Sequence, residues 1–478
     1  MRTNNGRIDA DPTDLTGLQE TLNVSDPQGR LAPIGMSRIE IGPRAIDSLP
    51  EVVADLTRGE RVMLVTDSTP KTRNGDDLND QAASLLGGRF AVERVVIGAH
   101  HQELHVDEEA IAETEFAVTG ADCIVVVGSG TVTDICKIAA KRAGQIPLVV
   151  LQSAASVNGF SDDLSVVLKD GVKRTVSSRW PDALLADIPT LADAPPTMNA
   201  AGFGDAIAMY TGPADWYLAS LVGMDDSYHP APVDMLLEGG QALLDGAAAI
   251  RRHEAEALDR LARMLILGGI AAGITKTTAV LSGTEHLVSH LLDMNNGKRG
   301  LPLAFHGAQV GVAMVVVAAA WEVLLDELDP AAIEIDACFP EPDSMEQVVR
   351  EAFDGLDPTG AIGDECWSDY AKKLERWRES RQSFEAFLES WPRHQDELRE
   401  MVASPKQLAA ALTETGAPAR FGELAPPASP ETVRWALRNC HLMRNRFTLA
   451  DLLFFIGWWD EIFIEKLLER TRSVGGGL

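Results

Sequence analysis

Six short apolar runs alternate with helical stretches between Ser37 and Asp187, and this alternation restricts the possible fold more than any other feature. Each run has the length of a strand rather than of a helix. Strands that alternate with helices usually pair in parallel, with the helices covering both faces of the sheet. We therefore predict an α/β domain with a doubly wound sheet, whose strands are Arg38–Ile41, Arg61–Val65, Ala91–Ile97, Cys123–Val127, Pro147–Leu151 and Ala183–Ala186.

The remainder of the chain differs in character on either side of this region. Residues 1–35 are polar and predict an N-terminal arm or a disordered lead-in. Residues 36–187 form the predicted α/β domain, with a hairpin near its end that turns at Asp170-Gly171. Residues 188–478 predict an all-α domain with a solvated helical insertion at about 330–400 and with further helices at Pro195–Leu218, Val233–Gly269, Thr284–Met294 and Gln309–Leu328.

Charge and cysteine content exclude several classes of protein. The formal net charge of −29 argues against nucleic acid or an anionic membrane surface as a partner. Five dispersed cysteines without a CxxC pair indicate reduced thiols and a cytoplasmic protein. No secretory leader is recognisable, and no apolar run in the sequence reaches the roughly 18 residues that a membrane span requires, so we expect no membrane insertion.

A glycine-rich turn follows the predicted strand Cys123–Val127. Gly128, Ser129 and Gly130 form the turn and Thr131 starts an amphipathic helix, so free N–H groups and the helix dipole favour a pyrophosphate there. An ordinary strand-to-helix turn has a similar sequence. Asp67 ends an earlier strand, where a carboxylate accepts hydrogen bonds from a ribose and repels a 2′-phosphate. This pair of features favours NAD(H) over the phosphorylated cofactor.

One carboxylate and two imidazoles, Asp205, His286 and His306, have the chemistry of an open metal site. A hard oxygen and two neutral nitrogens hold a divalent ion and leave coordination positions for a substrate. Histidine is scarce, at 10 of 478 residues, yet His286, His290 and His306 lie close together in the sequence. Core or capping histidines are the alternative interpretation. His290 lies one helical turn after His286, where an imidazole could relay a proton to or from an alkoxide.

The order of these motifs resembles the glycerol-1-phosphate dehydrogenases, from about Gly35 to Leu468. The motifs are GSGTVTD, SAASVNGF, AAGFGDAIAMYTGPADW, SGTEHLVSH and HGAQVGV. That family is part of a superfamily with the polyol dehydrogenases, the iron-type alcohol dehydrogenases and 3-dehydroquinate synthase. The resemblance implies a dehydroquinate synthase-like fold, a metal on Asp205, His286 and His306, and a substrate contact by His290. It also implies that the dinucleotide contacts Gly128, Ser129, Gly130, Thr131, Val132, Ser153 and Ser156.

Two residues depart from the family pattern. Asn158 stands where family members usually have an aspartate that contacts a substrate hydroxyl, and we expect it to take that catalytic position. Asp162 stands where a serine near the cofactor is usual. Both departures leave the substrate open.

These features predict a metal-dependent NAD(H) oxidoreductase that interconverts a small polyol phosphate and its ketone, as glycerol 1-phosphate and dihydroxyacetone phosphate are interconverted. Zinc is the expected metal, and nickel or ferrous iron would also serve. A local cationic pair must hold the phosphate, and Lys298-Arg299 or Lys173-Arg174 are the candidates. We expect a small-molecule substrate and a homodimer. The alternatives are a dehydrogenase of a non-phosphorylated polyol or alcohol, a 3-dehydroquinate synthase-like cyclase, and a non-catalytic nucleotide-binding paralogue.

Overall fold

The computed structural model describes residues 7–100, 104–169 and 172–478. These residues form two compact units. The first contains the chain up to Ala206 together with Ala231–Thr278 and Glu414–Gly416. The second contains Ile207–Pro230, Ala279–Thr413 and Ala417–Leu478.

The strands of the first unit are β1 Arg38–Gly42, β2 Arg61–Asp67, β3 Thr72–Arg73, β4 Asp76–Asp77, β5 Ala91–Ile97, β6 Cys123–Gly128, β7 Leu148–Gln152, β8 Leu164–Lys169, β9 Val172–Ser177 and β10 Ala183–Asp187. The helices of both units are α1 Leu15–Ser25, α2 Leu49–Leu56, α3 Leu78–Gly87, α4 Glu108–Val118, α5 Gly130–Arg142, α6 Ile188–Asp193, α7 Pro196–Ala206, α8 Gly212–Leu221, α9 Pro230–Asp245, α10 Ala247–Arg251, α11 Ala255–Thr275, α12 Thr284–Lys298, α13 His306–Glu327, α14 Pro342–Asp354, α15 Ala361–Glu379, α16 Arg381–Glu389, α17 Trp391–Arg399, α18 Pro405–Thr415, α19 Pro430–Asn439, α20 Leu449–Phe455 and α21 Glu461–Ser473.

A six-stranded parallel sheet is the core of the first unit, which confirms the predicted α/β class. Its strand order is β1-β10-β7-β6-β2-β5. Every residue of β6, β7 and β10 is buried, because helices cover both faces of these central strands. The edge strand β5 is largely exposed, which explains its polar residues Glu93 and Arg94. Since the strands are parallel, Asp67, Gly128 and Gln152 all lie at the carboxyl edge of the sheet.

The antiparallel pair β8 and β9 is the predicted hairpin, and its predicted turn at residues 170–171 lies outside the described residues. The segment predicted as a polar arm, residues 1–35, contains a helix that was not predicted, α1. Asp14 caps this helix by accepting a hydrogen bond from the Gly17 N–H. Leu18 and Leu22, one turn apart, bury one face of the helix, and this burial compensates for a polar sequence.

The long helix α11 packs within the first unit, although the sequence predicted that all residues after 187 form a separate helical domain. Ser161 Oγ donates a 2.8 Å hydrogen bond to the Ile266 carbonyl of this helix. A Cβ at Gly269 would lie 2.4 Å from the Asn158 carbonyl oxygen, so the missing side chain permits the close approach. The boundary between the two units therefore depends on how the helices pack, which the periodicity of the sequence does not predict.

The second unit is helical around α13. By length and composition this helix is apolar enough to span a membrane, and 94% of its most apolar window is buried inside the protein. It is therefore the core helix of this unit. Residues from about 330 to 400 also contribute to the core, contrary to the prediction of a solvated insertion. Trp377 of α15 stacks on Phe339, Phe447 and Phe455 at centroid distances of 5.1, 5.2 and 4.8 Å.

Candidate active site

Main-chain contacts position Asp205, near the end of α7. A Cβ at Gly202 would lie 1.8 Å from the Ala155 carbonyl oxygen, so only glycine permits this approach of α7 to the loop after β7. The loop in turn donates the Asn158 N–H to Asp205 Oδ2 at 2.9 Å. Asn158 thus supports the carboxylate through its backbone, and the predicted contact of its side chain with a substrate stays a prediction.

A carboxylate orients His286, in the first turn of α12. The ring Nδ1 of His286 is 2.9 Å from Glu285 Oε1, an oxygen that also accepts the Gly283 N–H at 2.7 Å. Because an ionised carboxylate only accepts, Nδ1 carries the proton and Nε2 presents a lone pair. The second oxygen, Glu285 Oε2, accepts from Thr211 Oγ1 at 3.0 Å. These hydrogen bonds fix the orientation of the His286 ring and leave the Nε2 lone pair available to a metal ion.

A second buried carboxyl, Asp215, lies behind this arrangement. It accepts 2.8 Å hydrogen bonds from the N–H and the hydroxyl of Thr284, and a 3.1 Å bond from Trp321 Nε1. Burial, followed by the nearby negative charge of Glu285, raises the pKa of Asp215 to about 7. The start of α12 is therefore held by buried polar contacts.

His306 begins α13, and its ring centroid lies 5.1 Å from that of His286. One ligand atom each of Asp205, His286 and His306 lies within 4.8 Å of the others. Asp205 and His286 are buried and His306 is half-buried. One carboxylate oxygen and two imidazole nitrogens fit an open divalent-metal site, since zinc, nickel and ferrous iron all accept this donor set. The structure brings together the three predicted ligands.

The fourth predicted residue, His290, contacts a cation, Arg444, that no sequence motif identified. Arg444 Nη2 lies 3.1 Å from His290 Nδ1, and a guanidinium only donates hydrogen bonds. Nδ1 therefore accepts, and the neutral ring carries its proton on Nε2. This arrangement favours a hydrogen-bond donor over the predicted proton relay, because a relay needs Nδ1 or Nε2 to exchange protons freely. The His290 ring lies 6.0 Å from the His306 ring.

The predicted dinucleotide residues cluster at the carboxyl edge of the sheet. β6 ends at Gly128, and α5 begins at Gly130. The Ser153 N–H donates to the Gly128 carbonyl at 3.1 Å, which joins the turn after β6 to the turn after β7. A Cβ at Gly130 would lie 2.7 Å from a methyl carbon of Val157, so this glycine also serves packing. The turn residues Ser129 and Thr131 are half-buried and Val132 and Ser156 are buried.

Asp67, at the end of β2, is paired with a neighbour. Its Oδ1 accepts from Lys71 Nζ and, at 2.9 Å, from the Thr69 N–H. Lys71 also donates to Thr66 Oγ1 at 3.1 Å. The lysine partly neutralises the carboxylate that was predicted to repel a 2′-phosphate.

Asp162, the second residue that departs from the family pattern, belongs to a buried cluster of charged side chains. It accepts from Lys137 Nζ at 2.6 Å, and Asp134 lies 3.3 Å from the same ammonium. Burial raises the pKa of Asp162 to about 6, although Lys137 lowers it. The aspartate that stands where the resemblance leads us to expect a serine therefore has a structural partner, Lys137.

The two predicted cationic pairs are less favourably placed. Lys298 and Arg299 are exposed at the carboxyl end of α12, roughly 12 Å along the helix axis from His290. Arg174, in β9, is half-buried, and the side chain of Lys173 lies outside the described residues.

Comparison with known proteins gives matches along most of the chain. Residues 40–195 match the family described as iron-containing alcohol dehydrogenase. The glycerol-1-phosphate dehydrogenase [NAD(P)+] of Halalkalibacterium halodurans is 31% identical over 293 residues, which cover 60% of this chain and 71% of that protein. The enzyme of the same name from Bacillus licheniformis is 26% identical, over 91% of this chain and 92% of its own.

Solved structures support the same fold. Maleylacetate reductase from Agrobacterium tumefaciens superposes with a TM-score of 0.55 at 16% identity, over 92% of this chain and 97% of that one. At this identity the likeness extends to the fold, which is the predicted dehydroquinate synthase-like architecture.

Proposed function

Because the chain belongs to the glycerol-1-phosphate dehydrogenase family, we propose that it is a metal-dependent NAD(P)(H) oxidoreductase of a small polyol phosphate and its ketone. The observation that carries the proposal is the group formed by Asp205, His286 and His306, whose ligand atoms lie within 4.8 Å of one another. A buried carboxylate and two oriented imidazoles are expensive to keep in an apolar interior unless they bind something.

The three residues would hold one divalent ion, with Asp205 contributing the oxygen that does not accept the Asn158 N–H. When bound, the ion supplies Lewis-acid polarisation of a substrate carbonyl oxygen, and the nicotinamide supplies the hydride. Zinc is proposed first, and nickel or ferrous iron provide the same chemistry.

His290 would donate its Nε2–H to the substrate oxygen. Arg444 holds the opposite nitrogen as an acceptor, so the donor proton is fixed on the side that Arg444 does not contact. A fixed donor orients the ketone without the cost of ordering a free side chain at the moment of reaction.

The cofactor would lie across the turns after β6 and β7, with its pyrophosphate at the amino end of α5. Helix α5 is 13 residues long and begins at Gly130. The free N–H groups of its first turn favour phosphate oxygens. Asp67 would accept hydrogen bonds from the adenosine ribose, which supports NAD(H) as the preferred form. Because Lys71 pairs with Asp67, the preference for NAD(H) should be smaller than an unpaired carboxylate would produce.

A dehydrogenase of a non-phosphorylated polyol is the second candidate. It is favoured by the exposure of Lys298 and Arg299, the pair proposed to hold the phosphate. All five cysteines are buried and none of them forms a disulfide within the described residues, which agrees with the proposed cytoplasmic location. The proposed homodimer stays a prediction.

The test is an oxidation assay with NADH and NADPH on chelator-treated protein. Zn²⁺, Ni²⁺ or Fe²⁺ is added back, and dihydroxyacetone phosphate is compared with dihydroxyacetone. We expect activity that requires a divalent ion and prefers the phosphorylated ketone. Equal rates on both ketones would establish the second candidate, and activity that survives metal removal would contradict the proposed site.

A further inference from the structure

A row of hydrogen bonds among four side chains connects α12 and α13, the two helices that carry the histidine ligands. His306 Nδ1 lies 3.2 Å from Ser289 Oγ. Ser289 Oγ lies 2.7 Å from Gln309 Oε1, and Gln309 Nε2 lies 3.0 Å from Asp293 Oδ1. Ser289 and Asp293 are one turn apart on α12, and His306 and Gln309 are one turn apart on α13, so the two helices present matching pairs.

The chemistry of each member fixes the direction of the hydrogen bonds. Asp293 contributes an acceptor, so Gln309 must turn its NH₂ group towards it and its carbonyl oxygen towards Ser289. A carbonyl oxygen only accepts, and Ser289 must therefore donate its single hydroxyl proton to Gln309. The Ser289 oxygen is left to accept from the ring of His306. The proton of neutral His306 then lies on Nδ1, and its Nε2 presents a lone pair.

Burial makes this order of donors and acceptors strict. Ser289, Gln309 and Asp293 are 0%, 1% and 4% exposed, so water does not offer an alternative partner for a reversed hydroxyl. A wrongly directed bond in such a place would leave a buried donor or acceptor without a partner, which is unfavourable. An apolar packing of these positions would be simpler, yet the chain keeps three polar side chains that end at the ring of a ligand.

We infer that Ser289, Gln309 and Asp293 are positioning residues that hold His306 as its Nδ1–H tautomer and aim its Nε2 at the metal. The inference rests on the proposed function in taking His306 as a ligand, and it goes beyond it in naming the groups that prepare the ligand. His286 receives the corresponding support from Glu285 directly, whereas His306 receives it from a carboxylate through an amide and a hydroxyl.

The experiment measures Co²⁺ affinity of the metal-free protein, by titration against a chromophoric chelator and by the visible spectrum of the bound ion. Ser289→Ala removes the acceptor for His306. Gln309→Met keeps the volume but releases the Ser289 proton, which can then turn towards Nδ1 and favour the wrong tautomer. We expect each variant to bind Co²⁺ roughly 10–100-fold more weakly than the natural sequence, the usual effect of removing such support. We expect Ser289→Thr, which keeps the hydroxyl, to bind more tightly than Ser289→Ala.

Ser165→Ala is the matched control. Ser165, in β8 of the first unit, is also buried, and its hydroxyl donates a 2.9 Å hydrogen bond to the Ser178 hydroxyl. Its Co²⁺ affinity should stay within twofold of the natural protein. Unchanged affinity in Ser289→Ala and Gln309→Met would overturn the inference. Loss of the folded circular dichroism spectrum in both variants would also overturn it. Such a loss would show that Ser289 and Gln309 stabilise the fold and do not act specifically on His306. A natural protein that binds Co²⁺ but oxidises no cofactor would contradict the proposed function alone.

Discussion

Asn158 supports Asp205 through a 2.9 Å hydrogen bond from its main-chain N–H, and its side chain has no part in that contact. The family resemblance led us to expect an aspartate at this position, and the contact with the Asp205 carboxylate needs only a peptide group. The substitution therefore leaves the support of the metal ligand intact and changes only what the side chain offers to a substrate.

We accordingly predict that Asn158→Ala lowers kcat/KM by about tenfold or more while Co²⁺ affinity stays within twofold. Asn158→Asp should alter kcat/KM among different ketones without loss of metal. The control is Asp205→Asn, which should weaken metal binding by at least tenfold. Weak Co²⁺ binding in Asn158→Ala would show that the side chain supports the ligand after all.

The pairing of Lys71 with Asp67 predicts that the lysine limits discrimination between the two cofactors. Lys71→Ala frees the carboxylate, and we expect the ratio of kcat/KM for NADH over NADPH to rise roughly fivefold, which corresponds to about 1 kcal/mol of added repulsion. Lys141→Ala is the control, since Lys141 donates to the Ser177 carbonyl and not to a cofactor-binding carboxylate. A ratio that falls would mean that Asp67 does not face the 2′ position.

Arg444 predicts a different kinetic pattern. Arg444→Ala removes the donor that keeps His290 Nδ1 an acceptor, so the ring can carry its proton on either nitrogen. We expect kcat to fall tenfold or more on phosphorylated and unphosphorylated ketones alike, and Arg444→Lys to restore part of it. Arg438→Ala, which removes an exposed ion pair with Glu461, should leave kcat unchanged. An effect confined to KM of the phosphorylated ketone would instead assign Arg444 to the phosphate.

The phosphate itself is tested at Lys298 and Arg299. Replacing both with alanine should raise KM for dihydroxyacetone phosphate by roughly tenfold and change kcat little, because such contacts stabilise ground and transition states alike. KM for dihydroxyacetone is the internal control. A KM that does not move would remove this pair from the substrate site.

Asp162 predicts how stability depends on pH. Its pKa in the folded protein, raised by burial to about 6, lies above the ordinary value of 3.8. The folded state thus holds this proton more tightly than the unfolded state, and the contribution to stability is lost as pH rises from about 4 to 6. In Asp162→Asn that decline is absent, so the free energy of unfolding of the variant relative to the natural protein should rise across this interval.

The measurement is urea unfolding at several pH values, with Asp163→Asn as control. Asp163 is adjacent in sequence but pairs with Lys276, which is half exposed. A difference between Asp162→Asn and the natural protein that does not change with pH would mean that Asp162 is ionised throughout this interval.

The sequence predicted the centre of the sheet closely because the central strands β6, β7 and β10 are buried on both faces. Cys123 to Val127 is uninterruptedly apolar, which left little choice of structure, and the observed strand adds only Gly128. Helix α1 was missed because only Leu18 and Leu22 face inwards from an otherwise polar segment.

The ligands were predictable from residue type, but their supports were not. Asp205, His286 and His306 carry recognisable chemistry and glycine-marked contexts. Arg444 is separated from His290 by 154 residues, and no local pattern connects them. Ser289 and Gln309 had a weak signal, since each lies three residues after a histidine ligand and hence on nearly the same helical face.

The packing of α13 depends in part on a helix that the ribosome synthesises much later. This most apolar helix is covered in part by α21, to which it is joined through Arg470 and Glu322 at 2.8 Å and through Lys466 and Glu327 at 2.8 Å. Since α21 lies far downstream, the ribosome releases α13 long before its cover exists. A nascent chain halted between the two helices would display the apolar side chains of α13 without this part of their cover.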